Sequence, residues 1–320
     1  MPAPNNYDAF LRTTRAVADP LRANILQALR QDSFGVLELA HIFDVAQPAL
    51  SHHLKVLSRA GLVATRRDGN GIYYRRAQRG AECPLFDYLS QLYRTLDEFK
   101  LDTVLRQRIN QVHAGRAERS RLFFAEHAGA FANQQALICT PQTYLPALRE
   151  VIDTAGGARK RALDVGPGEG ETLRLLAEQF DTVLGIDNSA AMLDRARQGI
   201  DGHERNNIRL RLKEFEGLRG PRHDLILFAM VLHHAASPRR FVAHANRLLN
   251  DAGTLIVVEL ISHEQTWAKD ACGDLWLGFD PGELDGWARD VGLAPGTSQY
   301  LAQRNGFRIQ VRSYQKGAAA

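Results

Sequence analysis

Cysteine is scarce in this chain. Its 320 residues hold three, Cys83, Cys139 and Cys272, too far apart to suggest a disulfide framework or a thiolate metal cluster. None precedes residue 83. Long apolar runs are missing too: nothing approaches the ~20 residues that span a bilayer, and no membrane partner is expected. The opening MPAPNNYDAF has neither the basic start nor the apolar stretch of a secretory signal, so the expected location is cytoplasmic. There is no internal repeat, and KGAAA at the end is the only low-complexity stretch.

What remains is an ordinary globular composition, 45% hydrophobic and 24% charged. At ~150 residues per domain, the length predicts two domains. The net charge of +4 is unevenly spread. Residues 1–80 carry 11 Lys/Arg against 6 Asp/Glu, residues 81–160 carry 10 against 9, and residues 161–320 carry 19 against 21. The basic excess lies at the N-terminus, where a polyanion would be met, although basic faces are often merely solvated.

Apolar residues recur at helical spacing from Tyr7 to about Leu29, with Asp19-Pro20 marking a break and restart. VLELAHIF (36–43) and PALSHHLKVLSRAG (48–61) predict two short helices joined by a tight turn. LVATRRDGNGIYYRRA predicts strands at 62–67 and 72–76 around a DGNG turn. Helix–turn–helix followed by a glycine-tipped hairpin is a winged helix. A long amphipathic helix is expected from about Pro84 to Val112, where Leu85, Leu89, Leu92, Leu96 and Phe99 step by four, three, four and three. Between two domains, that seam reads as a dimer contact more than as packing within its own domain, and HAGRAERS (113–120) reads as a hinge. From Arg161 onward RALDVG, TVLGID, IRLRL, HDLILFAMV and GTLIVVEL predict strands mostly separated by helices. That pattern means a mostly parallel sheet with helices on both faces. The final stretch, 307–315, predicts an antiparallel edge strand.

A helix fits the major groove and meets base edges with its N-terminal residues. The second short helix starts with Gln47, Ser51, His52, His53 and Lys55, all able to hydrogen-bond bases or phosphates. Arg66, Arg67 and Asn70 decorate the wing, where backbone and minor-groove contacts are expected. The plainer reading is that Leu50, Leu54 and Leu57 are core and the polar residues between them only face water. ADPLRANILQAL, VLELAHIFDVAQPALSHHLKVLSRAGLV and RRDGNGIYYRRA resemble, over residues 12–77 without a gap, the ArsR/SmtB-type winged-helix repressors. The resemblance implies that Gln47, Ser51, His52 and His53 read DNA, with a homodimer on an inverted-repeat operator. Ala46 and Pro48 replace the small hydroxyl residues usual beside the glutamine, and Pro is tolerated in a first helical turn. VLELA stands where metal-sensing members carry a Cys-x-Cys-type site. Soft metals need thiolates, which a lone His41 cannot replace, so no metal is expected and the signal must come from elsewhere.

In LDVGPGEGETLRLL (163–176) an apolar strand with Asp164 runs into Gly166, Gly168 and Gly170. Those glycines permit a tight turn and close approach to a ligand at the N-terminus of the next helix. Asp187 ends the following strand and is placed to accept both hydroxyls of a ribose. The dinucleotide fingerprint G-x-G-x-x-G differs from this D-x-G-x-G-x-G. A strand carboxylate would repel a pyrophosphate but could pair with the ammonium of a methionine moiety, which favours S-adenosylmethionine (SAM) over NAD. Residues 160–262 resemble the class I SAM-dependent methyltransferases. The resemblance implies that Met192 covers the adenine. It also places Glu214-Phe215 where an Asp and a small residue commonly contact the adenine amino group. His233 and His234 follow a strand's carboxyl end, where a base for methyl transfer could stand, although a His there is more often structural. Residues 262–288 hold Trp267, Trp276 and Trp287 among acidic residues and read as a lid packed on the sheet slightly ahead of an acceptor pocket.

The expected architecture is therefore multidomain. A winged helix–turn–helix (α+β) over 1–80 is joined by a dimerisation or linker helix over 81–120 to an α/β Rossmann-like SAM-methyltransferase fold over 121–320, with a mostly parallel seven-stranded sheet. The two halves together resemble an ArsR-type winged helix fused to a methyltransferase-like domain, a group in which some members regulate methionine and SAM metabolism in response to S-adenosylhomocysteine (SAH). That resemblance implies a DNA-binding transcriptional regulator with SAH or SAM as effector. The alternative is an active methyltransferase of a small molecule with an autoregulatory DNA-binding domain.

Overall fold

The computed structural model describes residues 6–69, 71–77, 83–127, 129, 131–202 and 206–317. The chain divides into two compact units, Met1–Gly115 and Arg116–Ala320.

In the first unit, α1 (Asn6–Val17) and α2 (Pro20–Ala28) part at Asp19. The Asp19 carboxylate accepts the Arg22 amide at 2.9 Å, and Pro20 presets the first turn. Then come β1 (Phe34–Gly35), α3 (Val36–Phe43), α4 (Gln47–Arg59), β2 (Val63–Asp68) and β3 (Gly71–Arg76), the strands pairing antiparallel in the order β1-β3-β2. Asp44 ends α3 at φ 55, a left-handed turn that a short polar side chain tolerates. Leu50, Leu54 and Leu57 of α4 are buried in one core with Ile25, Leu39 and Leu62. The winged helix is as expected.

The helix expected over 84–112 is instead two, α5 (Phe86–Glu98) and α6 (Thr103–His127). Asp102 starts the second by accepting the Val104 amide at 2.7 Å. The leucine seam is used within its own unit: Leu89 is buried and Leu85, Leu92 and Leu96 pack on the same core, while Phe99 stays exposed at the break. HAGRAERS, read above as a hinge, is helical. It lies inside α6, and the division between the units falls within it. Arg76 ties α5 to the wing: its Nε donates to the Leu26 carbonyl, its other nitrogens meet Asp97 at 2.6 and 3.1 Å, and it lies over the Tyr93 ring.

The second unit adds α7 (Phe131–Ile138) and α8 (Pro141–Thr154) to the C-terminal part of α6, then alternates strand and helix. Strands β4 (Arg161–Val165), β5 (Thr182–Asp187), β6 (Ile208–Leu212), β7 (His223–Ala229), β8 (Leu249–Leu260), β9 (Leu293–Ala302) and β10 (Arg308–Lys316) form one sheet of order β6-β5-β4-β7-β8-β10-β9. Every pairing is parallel except those of β10. All of β7 is buried, as in a strand covered on both faces. The covering helices are α8, α9 (Glu171–Gln179), α10 (Ala190–Ile200), α11 (Pro238–Leu248) and α13 (Pro281–Asp290); α12 (Trp267–Cys272) packs on α7. One expectation fails: the last strand is not the edge. It lies buried between β8 and β9, and β9, whose Pro295-Gly296 hid it, takes the exposed edge where proline is tolerated. Among the described residues no helix is long and apolar enough to cross a membrane.

Asp97→Ala is expected to lower the unfolding free energy of the first unit by about 1.5–3 kcal/mol, because it leaves a buried guanidinium short of its partner; denaturant titration checks this.

Candidate functional site

The first unit offers a polar helix face. Gln47, Ser51, His52 and Lys55 are all exposed on α4. His53 is not on that face. It stands three residues after Leu50 and four before Leu57, on the inner flank of the helix, and its Nδ1 lies 3.8 Å from Asp19 Oδ1. On the wing, Arg67 is exposed, but Arg66 reaches back 2.6 Å to Asp68, whose carboxylate is fully buried and needs a cation. Asn70 lies outside the described residues.

The second unit holds a cleft of about 1160 Å³, mouth included. It opens at the carboxyl ends of β4, β5 and β7, where the sheet order reverses between β4 and β7, the usual ligand position in such sheets. The glycine loop forms its floor. Gly166, Gly168 and Gly170 all take positive φ, at 67°, 56° and 93°. At Gly166 a Cβ would sit 2.3 Å from Val231 Cγ2, so only glycine lets the loop cross the end of β7. Gly199 of α10, which carried no motif, serves the same loop: a Cβ there would overlap the Glu169 carbonyl.

Asp164 does not line the cleft. It is wholly buried beneath the loop, with Oδ2 accepting the Thr172 hydroxyl at 2.6 Å and Oδ1 without a hydrogen-bond partner. Burial pushes its carboxyl up to about 7. Asp187 does line the cleft at the end of β5, its Oδ1 accepting the Ser189 amide at 2.8 Å. Burial raises it to about 6 against the pull of that amide. Met192 is buried in the wall, and Glu214 is exposed at the rim. Phe215 lies under Glu214, its ring against Phe228, Phe241 and His244.

The two histidines behave oppositely. His233 is shut away from the cleft, Nδ1 2.6 Å from Glu259 Oε1 and Nε2 3.8 Å from Asp274 Oδ1. Burial alone would drive its pKa down, but the two carboxylates outweigh it and raise the imidazole to about 9. As a base for methyl transfer, His233 is therefore excluded by position and by charge. His234 lines the cleft, with Nδ1 3.2 Å from the Gly273 carbonyl. Facing a carbonyl, Nδ1 carries the proton and Nε2 keeps the lone pair. Burial, and then the His233 charge, hold His234 well below the usual imidazole range. It accepts hydrogen bonds but takes up a proton poorly. Ligand atoms of His233, His234 and Asp274 lie within 4.8 Å of one another.

Sequence reasoning missed the roof. Ala117, Ser120 and Phe124, spaced three and four along α6, line the cleft with Gln135 and Tyr144. Burial pushes the Tyr144 phenol up, so it stays a neutral hydroxyl. Arg116 fixes that roof by donating to the Ala236 carbonyl at 2.9 Å beneath the Trp276 ring, and Arg195 pairs with Glu169 and donates to the Gly129 carbonyl. The tryptophan-rich segment is packed rather than cleft-lining: Trp276 and Trp287 are buried, and the Trp276 indole donates to the Ala235 carbonyl at 2.8 Å.

Residues 19–65 match the family model described as bacterial regulatory protein, arsR family, and residues 163–257 match that of a methyltransferase domain. The transcriptional repressor SdpR of Bacillus subtilis is 35% identical over 60 residues, 19% of this chain and 67% of that protein. The tRNA 5-carboxymethoxyuridine methyltransferase of Escherichia coli K12 is 31% identical over 120 residues, 36% of this chain and 46% of that protein. The chain spans between about half and two thirds of the length of the curated repressors it matches. Among solved structures, the [4+2]-cyclase SpnF superposes with a TM-score of 0.51 at 14% identity, over 62% of this chain and 95% of that one, a likeness of fold.

Two stability effects are expected. A carboxyl whose pKa rises on folding favours the folded state at low pH, and that contribution is lost as pH climbs from about 4 through about 7. Asp164→Asn should therefore be more stable than the parent at about pH 8 and lose that advantage by about pH 4, as read by calorimetry. Gly166→Ala should lose roughly 1–3 kcal/mol from left-handed strain, with the methyl driven into Val231 adding to it.

Proposed function

The chain belongs to the arsR family of bacterial regulatory proteins through its N-terminal unit, which is joined to a class I methyltransferase domain, and on that premise we propose a DNA-binding transcriptional regulator whose second unit binds SAH or SAM as effector. The exposed face of α4 supplies base and phosphate contacts through Gln47, Ser51, His52 and Lys55, and Arg67 supplies the wing contact. As a homodimer the protein reads an inverted repeat with half-sites about one helical turn apart. Asp187 takes the ribose hydroxyls, Met192 and Phe215 flank the adenine, and Glu214 meets its amino group. An effector of this kind suits control of genes for methionine and SAM turnover.

The observation that carries the effector reading is His234. Among the described residues it is the one imidazole in the cleft wall, and burial beside His233 disfavours its charged form, which suits it to accepting a hydrogen bond more than to taking a proton in catalysis. A second reading, an active methyltransferase of a small molecule, is favoured by the match of residues 163–257 to a methyltransferase domain.

Calorimetric titration of SAM and SAH, with and without a duplex selected by the protein from a random-sequence pool, tests the first reading. One of the two ligands is expected to bind with an affinity that changes when DNA is present; equal affinities indifferent to DNA would count decisively against it. Asp187→Ala should weaken ligand binding without altering DNA affinity in the ligand-free protein. Gln47→Ala should cost about 1–3 kcal/mol of sequence discrimination, whereas Lys55→Ala should weaken all duplexes alike and lower the salt slope by about one. Conversion of SAM to SAH on adding a metabolite extract would support the second reading.

A further inference from the structure

Helix α6 carries two buried anchors, three residues apart, that belong to different units. Within the first unit, His113 Nε2 lies 3.2 Å from Asp32 Oδ1 and its ring stacks on Phe34 at 5.7 Å. One turn earlier, Ile109 joins that unit's core, and Arg108 donates to the Ile42 carbonyl at 3.3 Å and to Asp44 at 3.1 Å. Ile42 and Asp44 border the turn that leads into α4. Within the second unit, Arg116 is buried between the Ala236 carbonyl and the Trp276 ring, and Ala117, Ser120 and Phe124 line the cleft.

Only Ala114 and Gly115 separate the anchors, and both are exposed. A methyl group on Gly115 would meet nothing within 4 Å, and the residue is not left-handed. Neither packing nor backbone geometry therefore requires a glycine here. What glycine contributes inside a helix is freedom, because it is the poorest helix former after proline. Its place between two fixed anchors concentrates that freedom at one point.

Resting on the function proposed above, we propose that Ala114–Gly115 is a hinge in α6 through which occupation of the cleft alters the presentation of α4 to DNA. SAH or SAM against Ala117, Ser120 and Phe124 restricts the C-terminal half of the helix, and Arg108 and His113 hold the N-terminal half to the turn before α4. A ligand that favours one setting of the hinge thereby favours one DNA affinity.

The test uses the full chain, SAH and a duplex selected by the wild-type protein from a random-sequence pool. Anisotropy titrations with and without saturating SAH give the coupling ratio, and calorimetry without DNA gives the SAH affinity. Wild type is expected to show a ratio of at least about fivefold, and Gly115→Ala to bring it within about twofold of unity while SAH affinity holds. The substitution has room for its methyl and improves helix propensity, so its melting temperature should not fall. Hydrogen exchange supplies an independent reading: without SAH, amides 113–117 should exchange faster than those at 105–111 and 119–125, and slow when SAH is added. Undiminished coupling in Gly115→Ala, or uniform protection along α6, overturns the hinge alone. A wild-type protein that binds both SAH and DNA, each indifferent to the other, overturns the proposed function and the relay with it.

Discussion

The His233 imidazolium, enclosed with the Glu259 and Asp274 carboxylates, is the charge around which the second unit's cleft is built. Both carboxylate side chains are fully buried, and a buried carboxylate without a cation is costly enough to unfold its surroundings, with about 3–5 kcal/mol lost when one partner of such a pair is removed. Meeting that demand fixes the loop after β7. The His233 carbonyl then takes the Leu275 and Trp276 amides, and the carbonyls of Ala235 and Ala236 take the Trp276 indole and the Arg116 guanidinium. The packed tryptophan segment and the roof helix thus hang from the same short loop that the ion pair holds in place.

The same charge decides what His234 can do. Its ring centroid lies 4.0 Å from that of His233, so a second imidazolium would face the first at close range in a site with little water to screen it. A neutral His234 with its Nδ1 proton committed to a backbone carbonyl presents only a lone pair. Opposite it, the glycine loop and the end of β5 bring backbone and a carboxylate close to any ligand.

Much of this was legible before folding was considered. Asp19-Pro20, the Leu50–Leu54–Leu57 spacing and the DGNG turn are local signals, and the elements they announce depend on neighbours a few residues away. The glycine loop was equally plain, because three left-handed residues in seven leave glycine no substitute. His53 and Arg66 turn partly inward, towards Asp19 and Asp68, for one reason: residue type says that a side chain can meet DNA, but position decides how far it faces out. The inner flank of α4 was in fact readable from the spacing to Leu50 and Leu57. The leucine seam of α5 was ambiguous by nature, since a heptad stripe packs as well on its own core as on a second copy. Strand β9 was hidden by Pro295-Gly296, which read as a break until an exposed edge made room for them.

By itself, the sequence determined the two kinds of unit, the second helix of the helix–turn–helix, the lack of cysteine before residue 83 and the glycine loop after β4. Each follows from local spacing, backbone freedom or the presence of a donor atom. Only the tertiary structure decided that Asp164 lies beneath the loop rather than at its surface, that adjacent histidines carry opposite protonation, and that α6 supplies the roof. These depend on burial and on charges brought together from residues 116, 234, 259 and 274, and Coulomb and desolvation energies follow distance in space, to which chain order is no guide.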